Sequence, residues 1–168
     1  MNIKIEKMHE KEKLDIAKMI TELMNYHRKL TKARKEFYQT DEESLETVNE
    51  WNEEGEIYKI LHQEELAGFF YIKFGGHNAA WLEDLYIKEA FRGKGLGKAA
   101  MNELDKMLQD KGILAMFVDV IPRNTRAIEF YQEIGFDHLN MIQLRKNYDK
   151  TLDKSEEVDL LGYKFKKY

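Results

Sequence analysis

Apolar and polar residues alternate through Asn2-Ile3-Lys4-Ile5-Glu6-Lys7, the period of a strand with one buried face. The period then lengthens. From about Glu10 to Leu30 the apolar positions Ile16, Ile20, Leu23, Met24, His27 and Leu30 recur at helical spacing, which predicts an amphipathic helix. His27 sits on that stripe and reads as a core-edge histidine before it reads as a ligand. A polar connection, Thr31 to Gln39, precedes a second helix. Its start is signalled by Thr40-Asp41-Glu42-Glu43, a hydroxyl followed three residues later by a carboxylate that can bond back to the capping residue's amide. Leu45, Val48 and Trp51 form its apolar side, and Gly55 ends it.

Ile57 to His62 and Leu66 to Phe74 are predicted strands, joined by a tight turn at Gln63-Glu64-Glu65. Gly75-Gly76-His77-Asn78 turns the chain into a third strand, Ala80 to Ile87. A long helix from Gly95 to about Asp110 buries Leu96, Ala100, Leu104, Met107 and Leu108, and Gly112 stops it. Leu114 to Ile121 is apolar on both faces, as an interior strand is. A helix from Thr125 to Ile134 ends at Gly135, the usual place for a helix-terminating glycine. Two strand-like runs, His138 to Arg145 and Val158 to Phe165, flank a charged loop. This order predicts one α/β domain over residues 1–168, with a mixed, mostly antiparallel central sheet of about seven strands flanked by about four helices.

Composition mainly excludes. The 168 residues are 43% hydrophobic and 35% charged, which describes an ordinary globular chain with enough residues for a sizeable core. A net charge of −4 without a long basic block gives no support for a nucleic-acid partner. Cysteine is absent, which removes a disulfide framework, a thiolate metal site and a cysteine nucleophile, and no metal is expected. Ser44 and Ser155, the only serines, lie in acidic stretches that read as exposed, so a serine acyl-enzyme is not expected either. No apolar run is long enough to cross a membrane as a helix, and the N-terminus lacks a signal peptide's apolar core; the expectation is a cytoplasmic protein with no membrane partner.

The most informative segment is Tyr86-Ile87-Lys88-Glu89-Ala90-Phe91-Arg92-Gly93-Lys94-Gly95-Leu96-Gly97. A strand runs through a short turn directly into a helix. Glycines there allow close approach of the backbone to a ligand, and the first helical turn offers amide donors and a positive dipole end to an anion. Arg92, Lys94 and Lys98 add charge; they could also be ordinary surface cations. The spacing fits neither G-x-G-x-x-G nor a P-loop, because the glycines fall at 93, 95 and 97 and Ala99 replaces the P-loop hydroxyl. Arg92, Gly95 and Gly97 do fit R-x-x-G-x-G, which resembles the pyrophosphate-binding motif of the GNAT superfamily of N-acetyltransferases. The competing reading is a glycine-rich turn that binds nothing.

A second segment strengthens the resemblance. Asn124-x-x-Ala127-x-x-x-Tyr131, followed by Gly135-Phe136, is similar to the second signature of that superfamily, in the family's order. The resemblance covers about Leu82 to Phe136 and implies a GNAT-like fold with acetyl-coenzyme A as cosubstrate. It implies cofactor contacts from Leu85, Tyr86 and Ile87 on the strand, from Arg92, Gly93, Lys94, Gly95, Leu96, Gly97 and Lys98 at the turn and helix start, and from Asn124 and Tyr131. It implies Tyr131 as the acid that protonates the departing thiolate, and a strand amide from Leu85 to Ile87 that polarises the thioester carbonyl. Asn124 could instead be a helix cap, and Tyr131 a core aromatic.

An alkylamine acceptor must lose a proton before attack. With a pKa of about 10.4, about one amine in 2,500 is neutral at pH 7, a handicap of about 4.6 kcal/mol. Glu83 matches an acidic residue of polyamine-type relatives, and simple alternation puts it on the face of Leu85 and Ile87, with Asp84 pointing the other way in a structural role. The resemblance implies direct transfer to a primary amine. A small amine (polyamine, amino sugar or amino acid) is the first expectation, a protein N-terminus or lysine the second, and a non-catalytic acyl-coenzyme A-binding module the third. Tyr26 to Leu30, Phe37, Tyr38 and Trp81 are candidates to line the acceptor pocket. The aromatic, basic run Val158 to Tyr168 could complete the sheet or pair with a second copy in a homodimer.

Overall fold

Strands β1 (Ile3–Lys7), β2 (Glu56–His62), β3 (Glu65–Gly75), β4 (Ala79–Ile87) and β5 (Ala115–Val118) lie side by side in that order. The first three junctions are antiparallel and the last is parallel. The computed structural model describes residues 2–168 in two compact units, the first ending at Asp119 and the second covering Val120–Tyr168. The five-stranded sheet belongs to the first unit with helices α1 (Lys13–Leu30), α2 (Asp41–Glu54) and α3 (Leu96–Asp110). The second holds helix α4 (Thr125–Glu133) and a hairpin of β6 (Glu157–Leu160) and β7 (Tyr163–Lys166).

Local chemistry sets the elements where the sequence placed them. Thr40 caps α2: its hydroxyl accepts the Glu43 amide at 3.2 Å, and Glu43 accepts the Thr40 amide at 2.8 Å. The β2–β3 hairpin turns on Gln63 and Glu64, whose φ of 52° and 66° suit the right-handed twist of the strands it joins. One sheet face, carrying Ile57, Phe69, Tyr71 and Tyr86, packs on Ile16, Ala17, Met19, Ile20 and Leu23 of α1 and Val48 of α2. Helix α3 buries Leu96, Ala100, Met101, Leu104 and Leu108 and packs beside β1; Met107 is only half-buried. Between β1 and β2, Lys59 is buried and pairs with Glu12 at 3.0 Å and Glu6 at 3.3 Å. Burial pulls its pKa down, but the two carboxylates outweigh that and hold it above the ordinary lysine value.

Four expectations need correction. Leu114 to Ile121 is not an interior strand: only Ala115–Val118 pairs, and β5 closes the edge of the five-stranded order. His138 to Arg145 forms no strand, and Leu139, Met141 and Leu144 stand exposed. Val158 to Phe165 is two short strands, because Leu161 and Gly162 adopt left-handed φ (51° and 83°) and reverse the chain. Ser44 is also not exposed; it is fully buried, and its Oγ lies 2.7 Å from Thr21 Oγ1 between α1 and α2. It shares a helix face with Val48, which an acidic local composition concealed.

Candidate active site

Strand β4 is paired with β3 along its length, Gly68 to Gly75 against Ile87 to Ala79. On its other edge β5 covers only Ala79 to Leu82. The Lys88 amide donates to Ala67 O at 2.8 Å, so by the alternation of an antiparallel ladder the amides of Leu85 and Ile87 point to the uncovered edge. A short length of strand backbone is therefore open to an extended ligand. Arg92 Nε reaches back to Ile87 O at 2.7 Å, and its guanidinium lies 5.2 Å from the Tyr86 ring centre. The Tyr86 hydroxyl donates to the Glu22 carboxylate of α1, and burial together with that carboxylate pushes its pKa well up.

A single 3-10 turn (Glu89–Phe91) carries β4 into the glycine segment. Gly93 and Gly95 both have φ of 75°, which L side chains adopt only with strain, and a Cβ on either would meet nothing within 4 Å. The glycines therefore serve backbone shape and leave open space beside them. Gly95 caps α3 without a side-chain bond, and the first intrahelical bond runs from the Ala99 amide to Gly95 O at 3.1 Å. The amides of Leu96 and Gly97 lie ahead of that bond, and the first turn holds no acidic residue, so donors and dipole favour an anion. Lys94 Nζ is turned back onto Ala90 O at 3.2 Å. The segment from Gly93 to Lys98 fits a diphosphate on these grounds.

The β3–β4 register shifts in the middle: Tyr71 pairs with Asp84, but Ile72 pairs with Leu82, which leaves Glu83 as an extra residue in a β-bulge. Strict alternation fails there. Leu82 and Leu85 share one face, and Asp84 shares the other with Tyr71, Phe69 and Tyr86, toward α1 and α2. The expected grouping of Glu83 with Leu85 and Ile87 is therefore corrected. Glu83 is exposed. Asp84 is half-buried, makes no hydrogen bond or ion pair among the described residues, and burial, reinforced by the Glu83 charge, raises its pKa to about 7. Neither helical spacing nor composition singled out Asp84. Its face is the one simple alternation gives, opposite Leu85 and with Tyr86; the three-residue interval between apolar Leu82 and Leu85 signals the bulge at Glu83, because residues on one face of an unbroken strand lie an even number apart.

Beside Asp84, Tyr71 is 2% exposed, its hydroxyl is buried without a hydrogen-bond partner, and its ring stacks on Trp51 of α2 at 4.2 Å and 3°. Lys73 Nζ lies 5.7 Å from the same ring centre and pairs with Glu54 at 2.6 Å. Of the expected pocket residues, Tyr26 and Phe37 are exposed, Arg28 Nε ties the loop by donating to Phe37 O at 3.2 Å, and Trp81 stacks on Phe117 of β5 at 5.1 Å. His27 is half-buried, and burial with the Arg28 charge lowers its pKa, which suits a core-edge position.

Asn124 and Tyr131 belong to the second unit. Asn124 does cap α4, its Oδ1 accepting the Ala127 amide at 3.3 Å, so both the bland and the functional reading of this side chain stay compatible. Tyr131 is half-buried between Phe130 and Phe136, with ring centres at 5.2 and 5.3 Å. Gly135, at φ 105°, ends the helix region as the sequence indicates.

Comparison with known proteins supplies the context. The model of the acetyltransferase (GNAT) family matches residues 21–136. A ribosomal protein bS18-alanine N-acetyltransferase of Haemophilus ducreyi is 36% identical over 78 residues, 46% of this chain and 52% of the relative. The chain spans about half the length of the curated relatives it matches. Among solved structures, the putative acetyltransferase YycN of Bacillus subtilis has a TM-score of 0.70 at 18% identity, over 88% of this chain and 100% of that one. The aminoglycoside N-acetyltransferase AAC(6')-Iy, in complex with CoA, has a TM-score of 0.66 at 16% identity, over 88% and 95%. These two show likeness of fold.

Proposed function

The chain belongs to the GNAT family of acetyltransferases, and from that premise we propose that residues 1–168 act as one N-acetyltransferase domain that moves an acetyl group from acetyl-coenzyme A directly to a primary amine of a small molecule. The observation that carries the reading is the junction itself: the uncovered edge of β4 leads within a few residues to the left-handed glycines and the capless start of α3. A diphosphate held by the amides of Gly93 to Lys98 sits at the end of the strand edge on which the pantetheine arm lies. Arg92, Lys94 and Lys98 contribute charge there, each about 0.3–1 kcal/mol. Asn124 contributes its amide to the cofactor and Tyr131 its hydroxyl.

The chemistry follows from what bound acetyl-coenzyme A supplies, an activated thioester carbonyl. Leu85 or Ile87 aims an amide at that carbonyl oxygen from the open strand edge; one such donor is worth about 2.7–4 kcal/mol in the transition state. A carboxylate of the bulge receives the ammonium proton: Glu83, the residue the family resemblance indicates, and Asp84 beside it are the two at hand. Tyr131 protonates the leaving sulfur. With no cysteine in the chain and its two serines unsuited, Ser44 being buried against Thr21, an acyl-enzyme has no nucleophile of those kinds.

The preference for a small amine rests on the resemblance of Glu83 to the acidic residue of polyamine-type relatives; the charges around Tyr71 are mixed, Lys73 ahead of Glu54 and Glu83. The Haemophilus relative, named for an alanine of a ribosomal protein, supports a protein N-terminus as the second reading. Free thiol released from acetyl-coenzyme A is the test, measured across a panel of diamines, amino sugars, amino acids and N-terminal peptides. Amine-dependent release with small amines supports the proposal. Release with peptides alone supports the second reading, and coenzyme A binding without release under any condition leaves a binding module.

A further inference from the structure

An exposed arginine ordinarily samples many rotamers, and a ligand that binds it must bear the cost of ordering it. Arg92 is exposed, yet it is held before any ligand arrives. Its Nε donates to Ile87 O at 2.7 Å, and its guanidinium lies 5.2 Å from the centre of the Tyr86 ring, within the range of a cation–π contact. Its two terminal nitrogens make no hydrogen bond or ion pair among the described residues. The Tyr86 ring is pinned in turn. It is buried and lies against Phe69, its cross-strand partner on β3, with ring centres 6.1 Å apart and 27° between the planes. Its hydroxyl donates to the carboxylate of Glu22 on α1, and burial together with that carboxylate keeps the hydroxyl protonated. Glu22 is exposed and makes no other hydrogen bond or ion pair among the described residues.

We propose that Glu22 and Tyr86 are positioning residues for coenzyme A: Glu22 anchors the Tyr86 hydroxyl, and the anchored ring presents the Arg92 guanidinium to the diphosphate at the mouth of α3. The proposal rests on the acetyl-transfer reading and deepens it. The amides that face the open strand edge are those of Leu85 and Ile87, whereas the Tyr86 side chain lies on the face toward α1, so Tyr86 acts through its ring. Glu22 belongs to no motif and meets this turn only through the fold. The arrangement also preserves charge. Glu22 spends its carboxylate on the hydroxyl instead of pairing with the guanidinium, and Glu89, the other acidic group felt at Tyr86, makes no ion pair with Arg92 among the described residues. The positive charge is therefore left for an anion, and the planar fork of an arginine suits two phosphate oxygens. Lys94, turned back onto Ala90 O, is not held ready in this way.

Calorimetric titration of coenzyme A into the 168-residue chain tests this through a double-mutant cycle. Arg92→Ala is expected to weaken binding about 30-fold, and Tyr86→Leu, which removes the ring, about tenfold. The double variant is expected to stay at about 30-fold, because the ring acts only through Arg92. Losses that multiply to about 300-fold belong to a merely structural tyrosine and overturn the proposal. Glu22→Ala and Tyr86→Phe each break the anchor and are expected to cost about threefold, singly or together, while Glu22→Gln, whose amide oxygen still accepts from Tyr86, restores the affinity. Should Tyr86→Leu fail to fold, this second series decides: Glu22→Ala binding as the wild type does, or Glu22→Gln binding no better than Glu22→Ala, overturns the proposal. The same losses are expected with 3'-dephospho-coenzyme A, which keeps the diphosphate; losses that vanish with that ligand put Arg92 on the 3'-phosphate and overturn the assignment. A wild type that gives no heat removes the acetyl-transfer reading and this proposal together, whereas wild-type heat with multiplying losses removes this proposal alone.

Discussion

Asp84 ties a stability measurement to a functional claim. Its carboxyl moves from the ordinary 3.8 to about 7 on folding, with burial the first cause and the Glu83 charge the second. The folded value lies above the unfolded one, so folding favours the protonated form. The stability this group lends is whole below about pH 4 and drains away as the pH rises through 7. A change of about three pH units at 1.36 kcal/mol each corresponds to about 4 kcal/mol, the cost of keeping the charged form in place above neutrality. Asp84→Asn removes the charge at nearly constant shape. It should therefore be more stable than the wild type at pH 8.5 by up to about 4 kcal/mol and by only about 1 kcal/mol at pH 4.5, the amide of asparagine setting the remaining offset. Glu6, Glu12 and Glu56 have lowered pKa values and destabilise both proteins alike as the pH falls, so they cancel in the difference. Urea unfolding of both proteins at several pH values between those limits measures it. A gap that stays constant across the range, or a variant less stable at pH 8.5, refutes the reasoning about Asp84.

Lys59→Met removes the cation that Glu6 and Glu12 share, while Lys4 and Lys11 still face them, and should lower the urea midpoint at pH 7; an unchanged midpoint would mean the pair is a bystander. Gly95→Ala, at φ 75° with open space for its Cβ, should cost about 1 kcal/mol of stability through the backbone alone while weakening coenzyme A binding about tenfold or more; a melting shift with unchanged affinity would separate the turn from the cofactor. Tyr131→Phe should cut turnover about tenfold or more with acetyl-coenzyme A affinity unchanged, and full retention of turnover in steady-state assays would remove Tyr131 from the chemistry.

Much of the first unit was legible in the sequence because its signals are local. The Thr40–Glu43 cap, the Gln63–Glu64 turn, the apolar stripes of α1 and α3 and the glycines at 93 and 95 each act within a few residues, where pattern and structure share one cause. The family model then covers both motifs that carried the resemblance, from before Arg92 to beyond Tyr131. The bulge at Glu83 was not legible as a face assignment, because it depends on how β3 and β4 pair and not on β4 alone. The same limit hid the orphaned Tyr71 hydroxyl and the burial of Ser44, which arise from neighbours distant in sequence. His138 to Arg145 carries strand-like alternation, but alternation describes a strand only where another edge is there to pair with it, and within the second unit the ladder is β6 with β7.

Isothermal titration of acetyl-coenzyme A into the wild-type chain, beside Gly95→Ala, tests most directly whether the β4 edge and the mouth of α3 hold that cosubstrate. The account predicts saturable one-to-one heat that is diminished in the glycine variant. No heat from a chain that unfolds cooperatively, or equal heat from both proteins, would contradict it.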